Sequence, residues 1–326
     1  MGSDPFVLGV DVGGTKVAVG AVYGAEAGEL VEHPTDTSGR EPLLDGIEAG
    51  VREVSSKAGD PAAVGVGVPS QIEFATGRVL SSVNIPLAGV PLRDVLGSRL
   101  GVPIYVDNDA NCAALAEAEL LEVRNLVMLT LGTGVGGGVV IDGRIFRGTH
   151  GLGAELGHFS VIADGPPCPG NCPNRGCVEA LCSGTALERD ATALAKGRPD
   201  SPLGRLYAEG GRVSGPEAVA AAQAGDVDAL RLFKRLGTWL GVAIAGYVNV
   251  FEPEHFLIGG GVSRAADLFL ERARAEAASR ALPALWERVN VSLARGAADA
   301  GVIGAGLLAA HESGRDTAQV KPETAS

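Results

Sequence analysis

Aromatic residues are scarce in this chain. Phe, Trp and Tyr make up 4% of its 326 positions, so the core must be built mostly from Ala, Val, Leu and Ile. Positive charge is not in excess either. The formal net charge is −12, whereas a nucleic-acid binder needs a basic face to displace counterions from phosphate; no nucleic acid is expected as a partner. The same charge argues, more weakly, against a polyanionic substrate such as polyphosphate. No uninterrupted apolar run reaches the roughly 18 residues of a membrane span, so no membrane partner is expected. The first five residues show no basic segment leading into an apolar stretch, so no signal peptide is expected and the expected location is cytoplasmic. A Walker P-loop is also missing, because Gly-x-x-x-x-Gly-Lys-Ser/Thr occurs nowhere.

Hydrophobic residues, at 46%, are enough for a sizeable core. The length suits two domains at roughly 100–200 residues each. The 48 glycines point to many tight turns and close backbone approaches.

Along the chain, apolar residues 6–10 end in Asp11 and a glycine turn, and residues 17–22 return as a second strand. Helical patterns cover 43–58, 92–100 and 110–121, with strands expected at 64–68 and 102–106. A similar strand and glycine turn then recur at 125–138, with a return strand at 139–141. Two such half-units imply a duplicated α/β architecture with a cleft between the halves. Residues 150–184 are irregular and rich in Gly, Pro and Cys. Helix dominates from 185 to 249 with a break near 197–212, and strands are expected at 256–258 and 289–293. The expected division is an N-terminal α/β domain over 1–108 and a larger α/β domain over 109–299. A closing helix at about 300–312 packs back on the first, and a polar, disordered tail covers 313–326.

The turn Asp11-x-Gly13-Gly14-Thr15-Lys16 has a mechanical reading. Glycines let the backbone approach a phosphate closely, and turn N–H groups can point at its oxygens. Thr15 adds a hydroxyl, Lys16 a positive charge, and Asp11 a carboxylate for hydrated Mg²⁺. The other reading is a plain hairpin whose glycines serve φ > 0. A second turn, with Gly132, Thr133 and Gly134, favours phosphate clamps. A third cluster, Gly259, Gly260 and Gly261, follows a strand and precedes a helix. It suits the flat face of adenine, or is an ordinary loop.

Phosphoryl transfer to a hydroxyl needs positioning and a proton acceptor. Asp109 fits the second role. It lies at a strand end, where α/β sheets present ligands, and near a helix N-terminus, which favours the ionised form. It could instead be a simple helix cap, a task open to Asp107 and Asn111 as well. Asn108 beside it can orient a sugar hydroxyl. Glu155 and His158 share a face if they lie on a helical turn, and a carboxylate with an imidazole suits paired sugar hydroxyls.

The cysteines Cys168, Cys172 and Cys177 follow a C-x₃-C-x₄-C spacing, with His158 ten residues upstream. Three thiolates and one imidazole make a closed, structural Zn²⁺ site; free buried thiols or a disulfide are the alternatives. Cys112 and Cys182 read as small core residues.

Taken together, these residues resemble the ROK family of sugar kinases and sugar-responsive repressors. The resemblance rests on Asp11 to Lys16, the second glycine turn, Glu155-x-Gly157-His158, the cysteine knot ending Gly176-Cys177-x-Glu179, and the glycines at 259–261. It implies an actin-like (ribonuclease-H-like) ATPase fold of two α/β domains, with ATP, Mg²⁺ and zinc. It also implies Asp109 as general base, a sugar held by Asn84, Asn108, Asp109, Glu155, His158 and Glu179, and a homodimer or homotetramer. The subgroup implied is the bacterial glucokinases, which phosphorylate the 6-hydroxyl of glucose. Two positions depart from the pattern. The knot usually begins Cys-x-Cys, and Ser70 stands after Pro69 where the family has Gly. Within the family, N-acetylglucosamine, N-acetylmannosamine, mannose or fructose could replace glucose, and polyphosphate could replace ATP. A sugar-sensing regulator is the non-enzymatic alternative. It would carry a helix-turn-helix ahead of the phosphate hairpin, which here begins near residue 6.

Overall fold

The computed structural model describes residues 6–296 and 299–314. These form two compact units. The first takes the described residues of Met1–Asn125, Gly138–Ala154 and Arg295–Ser326, and the second takes Leu126–Gly137 and Glu155–Ala294.

The first unit begins with β1 (Val7–Val12), an almost wholly buried strand. A strand covered on both faces reads as a continuous apolar run rather than an alternating one. It turns into the antiparallel β2 (Lys16–Tyr23), with Val12 opposite Val17. Two short strands, β3 (Glu26–Ala27) and β4 (Val31–Pro34), pair along β2. Helix α1 (Arg40–Ala58) buries Leu43, Leu44, Ile47, Val51 and Val54, the spacing of one helical face. Next come β5 (Ala63–Val68), the hairpin β6 (Ser70–Glu73) and β7 (Arg78–Ser82), α2 (Leu92–Leu100), β8 (Ile104–Asn108) and α3 (Asp109–Leu121). The β6–β7 hairpin has no expectation from sequence, because its strands are short and mostly polar. The sheet order is β3-β2-β1-β5-β8, with β1, β5 and β8 parallel.

A second sheet repeats this path. Strands β9 (Leu126–Leu131), β10 (Val135–Ile141) and β11 (Arg144–Ile145) open it, and the boundary between the units runs through β10. Helices follow: α4 (Val178–Cys182), α5 (Gly184–Gly197), α6 (Pro202–Gly210), α7 (Gly215–Gln223) and α8 (Val227–Phe251). The sequence reading expects one break here, but the chain is cut into separate helices by successive caps. Ser183, Ser201, Ser214 and Asp226 each accept a backbone N–H of the helix that follows. Then come β12 (His255–Gly259), α9 (Leu270–Ala278), α10 (Pro283–Trp286) and β13 (Asn290–Leu293). The order β11-β10-β9-β12-β13 has the same connectivity as β3-β2-β1-β5-β8.

The closing helix α11 (Ala300–Ser313) is apolar on nearly every side and buried from Val302 to Ala310. It packs against β1, β5 and α3 in the first unit. The approach is backbone to backbone. A Cβ on Gly65 would lie 1.7 Å from the Ala305 carbonyl oxygen, and one on Gly304 would lie 1.8 Å from that of Cys112. The sequence reading starts the second domain at residue 109, whereas α3 groups with the first unit because it is wedged against α11. The helix includes Ser313 and is closed by Gly314 in the left-handed conformation, and residues 315–326 of the expected tail lie outside the described residues. Among the described residues, no helix is long and apolar enough to cross a membrane.

Candidate active site

In the first unit, the end of β8 and the start of α3 bring the acidic candidates together. Asn108, not Asp109, is the N-cap of α3. Its Oδ1 accepts from the N–H of Ala110 at 2.9 Å and of Asn111 at 3.4 Å. With the oxygen so committed, the amide orientation is fixed, and Nδ2 donates to the Ser70 carbonyl at 3.3 Å. Asp109 is the first helical residue and accepts from the Ala110 N–H at 2.8 Å. Burial pushes its carboxyl above the usual range, opposed only in part by backbone N–H groups.

Beneath this pair lies Asp107, 2% exposed. It accepts from the Asn108 N–H at 2.7 Å, Asn111 Nδ2 at 2.8 Å and Arg147 Nε at 2.5 Å. Arg147 also meets Glu312 at 3.2 Å and stacks 3.6 Å above the Phe74 ring. Sequence reasoning missed Arg147, because nothing local links it to a strand some forty residues earlier.

Asp11 occupies the penultimate position of β1, beside the first glycine turn. Neither Gly13 nor Gly14 adopts a positive φ, which removes the conformational explanation for these glycines. A Cβ on Gly14 would meet nothing within 4 Å, so no protein neighbour demands a glycine there. Thr35, also missed from sequence, props the turn. Its hydroxyl donates to the Gly13 carbonyl at 2.7 Å, and its N–H donates to that of Thr15 at 3.0 Å. The Asp11 carboxyl is pushed up to about 6, first by burial and then by Asp109, against the pull of Lys16. Lys16 itself pairs with Glu32 on β4. Both are about half exposed, so the pair contributes little and leaves the ammonium available to an anion. Asn84 follows β7 and lines an open depression of about 490 Å³ with Thr37, Ser82, Val83 and Ile85.

In the second unit, the turn between β9 and β10 is held by the start of α5. Gly184 N–H donates to the Gly132 carbonyl at 2.8 Å, and the Thr185 hydroxyl donates to that of Thr133 at 2.8 Å. Gly134 is a glycine for a packing reason: a Cβ there would lie 2.4 Å from the Glu179 carboxylate, which accepts from the Val135 N–H at 2.8 Å. At the end of β12, Gly260 has φ +84° and sits against the Leu131 backbone, while a Cβ on Gly261 would point into open space. Gly259 is buried at the strand end.

Glu155 stands at the N-cap position of a single 3₁₀ turn, Leu156–His158, without a side-chain capping bond, close to the helical turn expected from sequence. His158 reaches the cysteine loop, where its Nδ1 lies 3.4 Å from Cys168 Sγ. The ligating atoms of His158, Cys168, Cys172 and Cys177 all lie within 4.8 Å of one another. Ligands on a tetrahedral zinc stand about 3.8 Å apart, given Zn–S bonds near 2.3 Å, so donor set and spacing suit that ion. The longer Cys168–Cys172 spacing does not hold Cys168 away. Burial, then contact with the other two thiols, pushes the Cys168 thiol up. Glu179 Oε1 is 3.8 Å from Cys168 Sγ, so the cysteine loop touches two of the sugar candidates.

A strand–glycine-turn–strand start on two sheets of identical connectivity defines the actin-like ATPase fold class. Within that class the chain belongs to the ROK family, whose pattern matches residues 7–312. It is 36% identical over 318 residues to a glucokinase of Halalkalibacterium halodurans, covering 94% of this chain and 95% of that one. Among solved structures it resembles a ROK hexokinase from Thermus thermophilus, with TM-score 0.81 and 34% identity over 95% of this chain and 99% of that one. It also resembles a ROK family glucokinase from Streptomyces griseus in complex with glucose and AMPPNP. There the TM-score is 0.75 and the identity 33%, over 94% of this chain and 99% of that one.

Proposed function

We propose that this protein is an ATP-dependent hexose kinase that phosphorylates the 6-hydroxyl of glucose. The glucokinase and hexokinase names of its relatives support the class and the sugar, and the Streptomyces griseus complex supports an adenine nucleotide as donor. One observation carries the chemical reading: Asp11 pairs in register with Gly67 of β5, and a Cβ on Gly67 would lie 3.7 Å from Asp109 Cα, so the two carboxylates flank one glycine. A proton acceptor thus stands beside a glycine turn whose Gly14 faces open space.

Asp109 takes the proton of the sugar 6-hydroxyl as that oxygen bonds to the γ-phosphorus and the bond to the β-phosphate oxygen breaks, leaving ADP. Its raised pKa makes it a better base than an exposed carboxylate. Asn84, Asn108, Glu155, His158 and Glu179 hold the sugar hydroxyls. The N–H groups and hydroxyls of Gly13, Gly14, Thr15, Gly132, Thr133 and Gly134, with Lys16, hold the phosphates, and Gly259, Gly260 and Gly261 border the adenine. Asp11 suits hydrated Mg²⁺, a carboxylate short of positive charge; when bound, the ion neutralises charge on the phosphates. His158, Cys168, Cys172 and Cys177 hold a structural zinc.

The expected location is the cytoplasm. The assembly is a homodimer or homotetramer, for which exposed Val250 and Leu282, beside Asn249, offer apolar surface; light scattering reads it. The deciding experiment is a phosphorylation panel of glucose, mannose, fructose, N-acetylglucosamine and N-acetylmannosamine against ATP and polyphosphate. Glucose with ATP should give the highest kcat/KM. A higher value for another sugar reassigns the substrate, and no turnover with any pair sinks the enzymatic reading in favour of a sugar-sensing regulator.

A further inference from the structure

Ser70 and Ser82 face each other across the β6–β7 hairpin, and both join elements that carry sugar candidates. They are paired in register, and the Ser70 hydroxyl donates to Ser82 Oγ at 2.9 Å. Ser82 ends β7 and is followed within two residues by Asn84. On its other side, Ser70 uses its carbonyl to accept Asn108 Nδ2 at 3.3 Å. Asn108 Oδ1 is committed to the cap of α3, so the amide plane is held at both ends, by the cap and by that carbonyl. An amide nitrogen carries two hydrogens. One is spent on Ser70, which leaves the second aimed by the first. Ser70 is 6% exposed, so its hydroxyl points into the hairpin rather than into solvent.

We propose that Ser70 and Ser82 form a positioning clasp that sets the spacing between Asn84 and the Asn108–Asp109 pair, and so tunes hexose affinity without touching the phosphate chemistry. The proposal rests on the hexose-kinase reading and adds two residues to it. Neither serine is a catalytic residue. Each acts through a neighbour, Ser70 through Asn108 and Ser82 through the segment bearing Asn84. An alternative role, in which the hydroxyl pair merely stabilises the hairpin, predicts a loss of stability with no change in sugar affinity.

The test compares Ser82→Ala, Ser70→Gly and the hydroxyl-retaining Ser82→Thr with the wild-type chain. Hexose KM and kcat, MgATP KM, the hexose Kd from calorimetry and the melting temperature are measured. Loss of one hydrogen bond scales an equilibrium by about 2- to 12-fold. Ser82→Ala and Ser70→Gly should therefore raise both hexose KM and Kd by several fold. The kcat and MgATP KM should stay within about twofold, and Ser82→Thr should lie near wild type. A lower melting temperature with unchanged hexose Kd overturns the clasp, as does Ser82→Thr behaving like Ser82→Ala. Wild-type hexose turnover tests the parent reading separately. If the wild-type chain binds a hexose but does not phosphorylate it, the kinase reading fails while the Kd comparison still decides the clasp; if it binds none, both fall.

Discussion

Asp109 and Asp11 are two carboxylates with different tasks, and each leaves its own signature. If Asp109 is the base, Asp109→Ala should lower kcat by at least about 100-fold, the scale of a general base, while calorimetry still finds glucose binding. Retention of most turnover would remove Asp109 from that role. Asp11 should show itself in stability. Its pKa is raised from 3.8 to about 6, chiefly by burial, so between those values the folded state holds a proton that the unfolded state has lost. Stability from this group therefore falls as pH rises from about 4 to about 6, by roughly 3 kcal/mol at 1.36 kcal/mol per unit. In the metal- and nucleotide-free protein, Asp11→Asn should be the more stable chain at pH 7.5, with the difference nearly gone at pH 4. Urea titrations at both pH values read it, and a difference independent of pH refutes it. The residue types at these positions were legible in the sequence, but the shifts were not. They arise from burial, and for Asp11 from Asp109 as well, and no local pattern encodes either.

Two elements carry testable demands of their own. The cysteine loop has almost no core: its buried cluster is Cys168, Cys177 and Ala180, with Cys172 packed against it. A loop with so little apolar surface needs another source of folding energy, which a closed metal site can supply. Metal analysis should find about one zinc per chain. Cys172→Ser should lose that metal and become sensitive to proteolysis within residues 159–177. Because His158 and Glu179 adjoin the loop, glucose KM should rise more than MgATP KM; fully active, metal-free protein would refute the site. What was legible in the sequence is the cluster itself: three thiols at that spacing and His158 upstream do come together in the structure. Helix α11 is the opposite case. Its apolar run signalled a buried helix, but the wedge against α3 depends on Gly304, where a Cβ would lie only 1.8 Å from the Cys112 carbonyl oxygen. Gly304→Ala should lower stability by about 1–3 kcal/mol, the usual cost of overpacking, in a denaturant titration. An unchanged midpoint would mean α11 is not held against α3 in this way.

At the scale of the whole molecule, the repeated strand–turn–strand motif in the sequence becomes two sheets with the same strand path. That duplication was legible because each half opens with a buried strand running into glycines. The grouping of α3 was not legible. Whether residues 109–121 belong to the preceding or the following unit depends on what α11 touches, and α11 lies almost two hundred residues away in the chain. Charge is the other whole-molecule property, and it bears on the donor. Every approach of a phosphate donor is made toward a chain of net charge −12. MgATP carries a small net charge with its counterion attached, whereas a long polyphosphate brings many charges at once and feels the whole field. Screening shortens that field to about 8 Å at 0.15 M salt. If polyphosphate is used at all, its KM should fall as salt rises from low ionic strength to 0.15 M, while the KM for MgATP moves little. Steady-state assays across that range read the difference. A polyphosphate KM that rises with salt would mean a local basic track overrides the bulk charge, and the donor assignment would then have to be reopened in favour of the polymer.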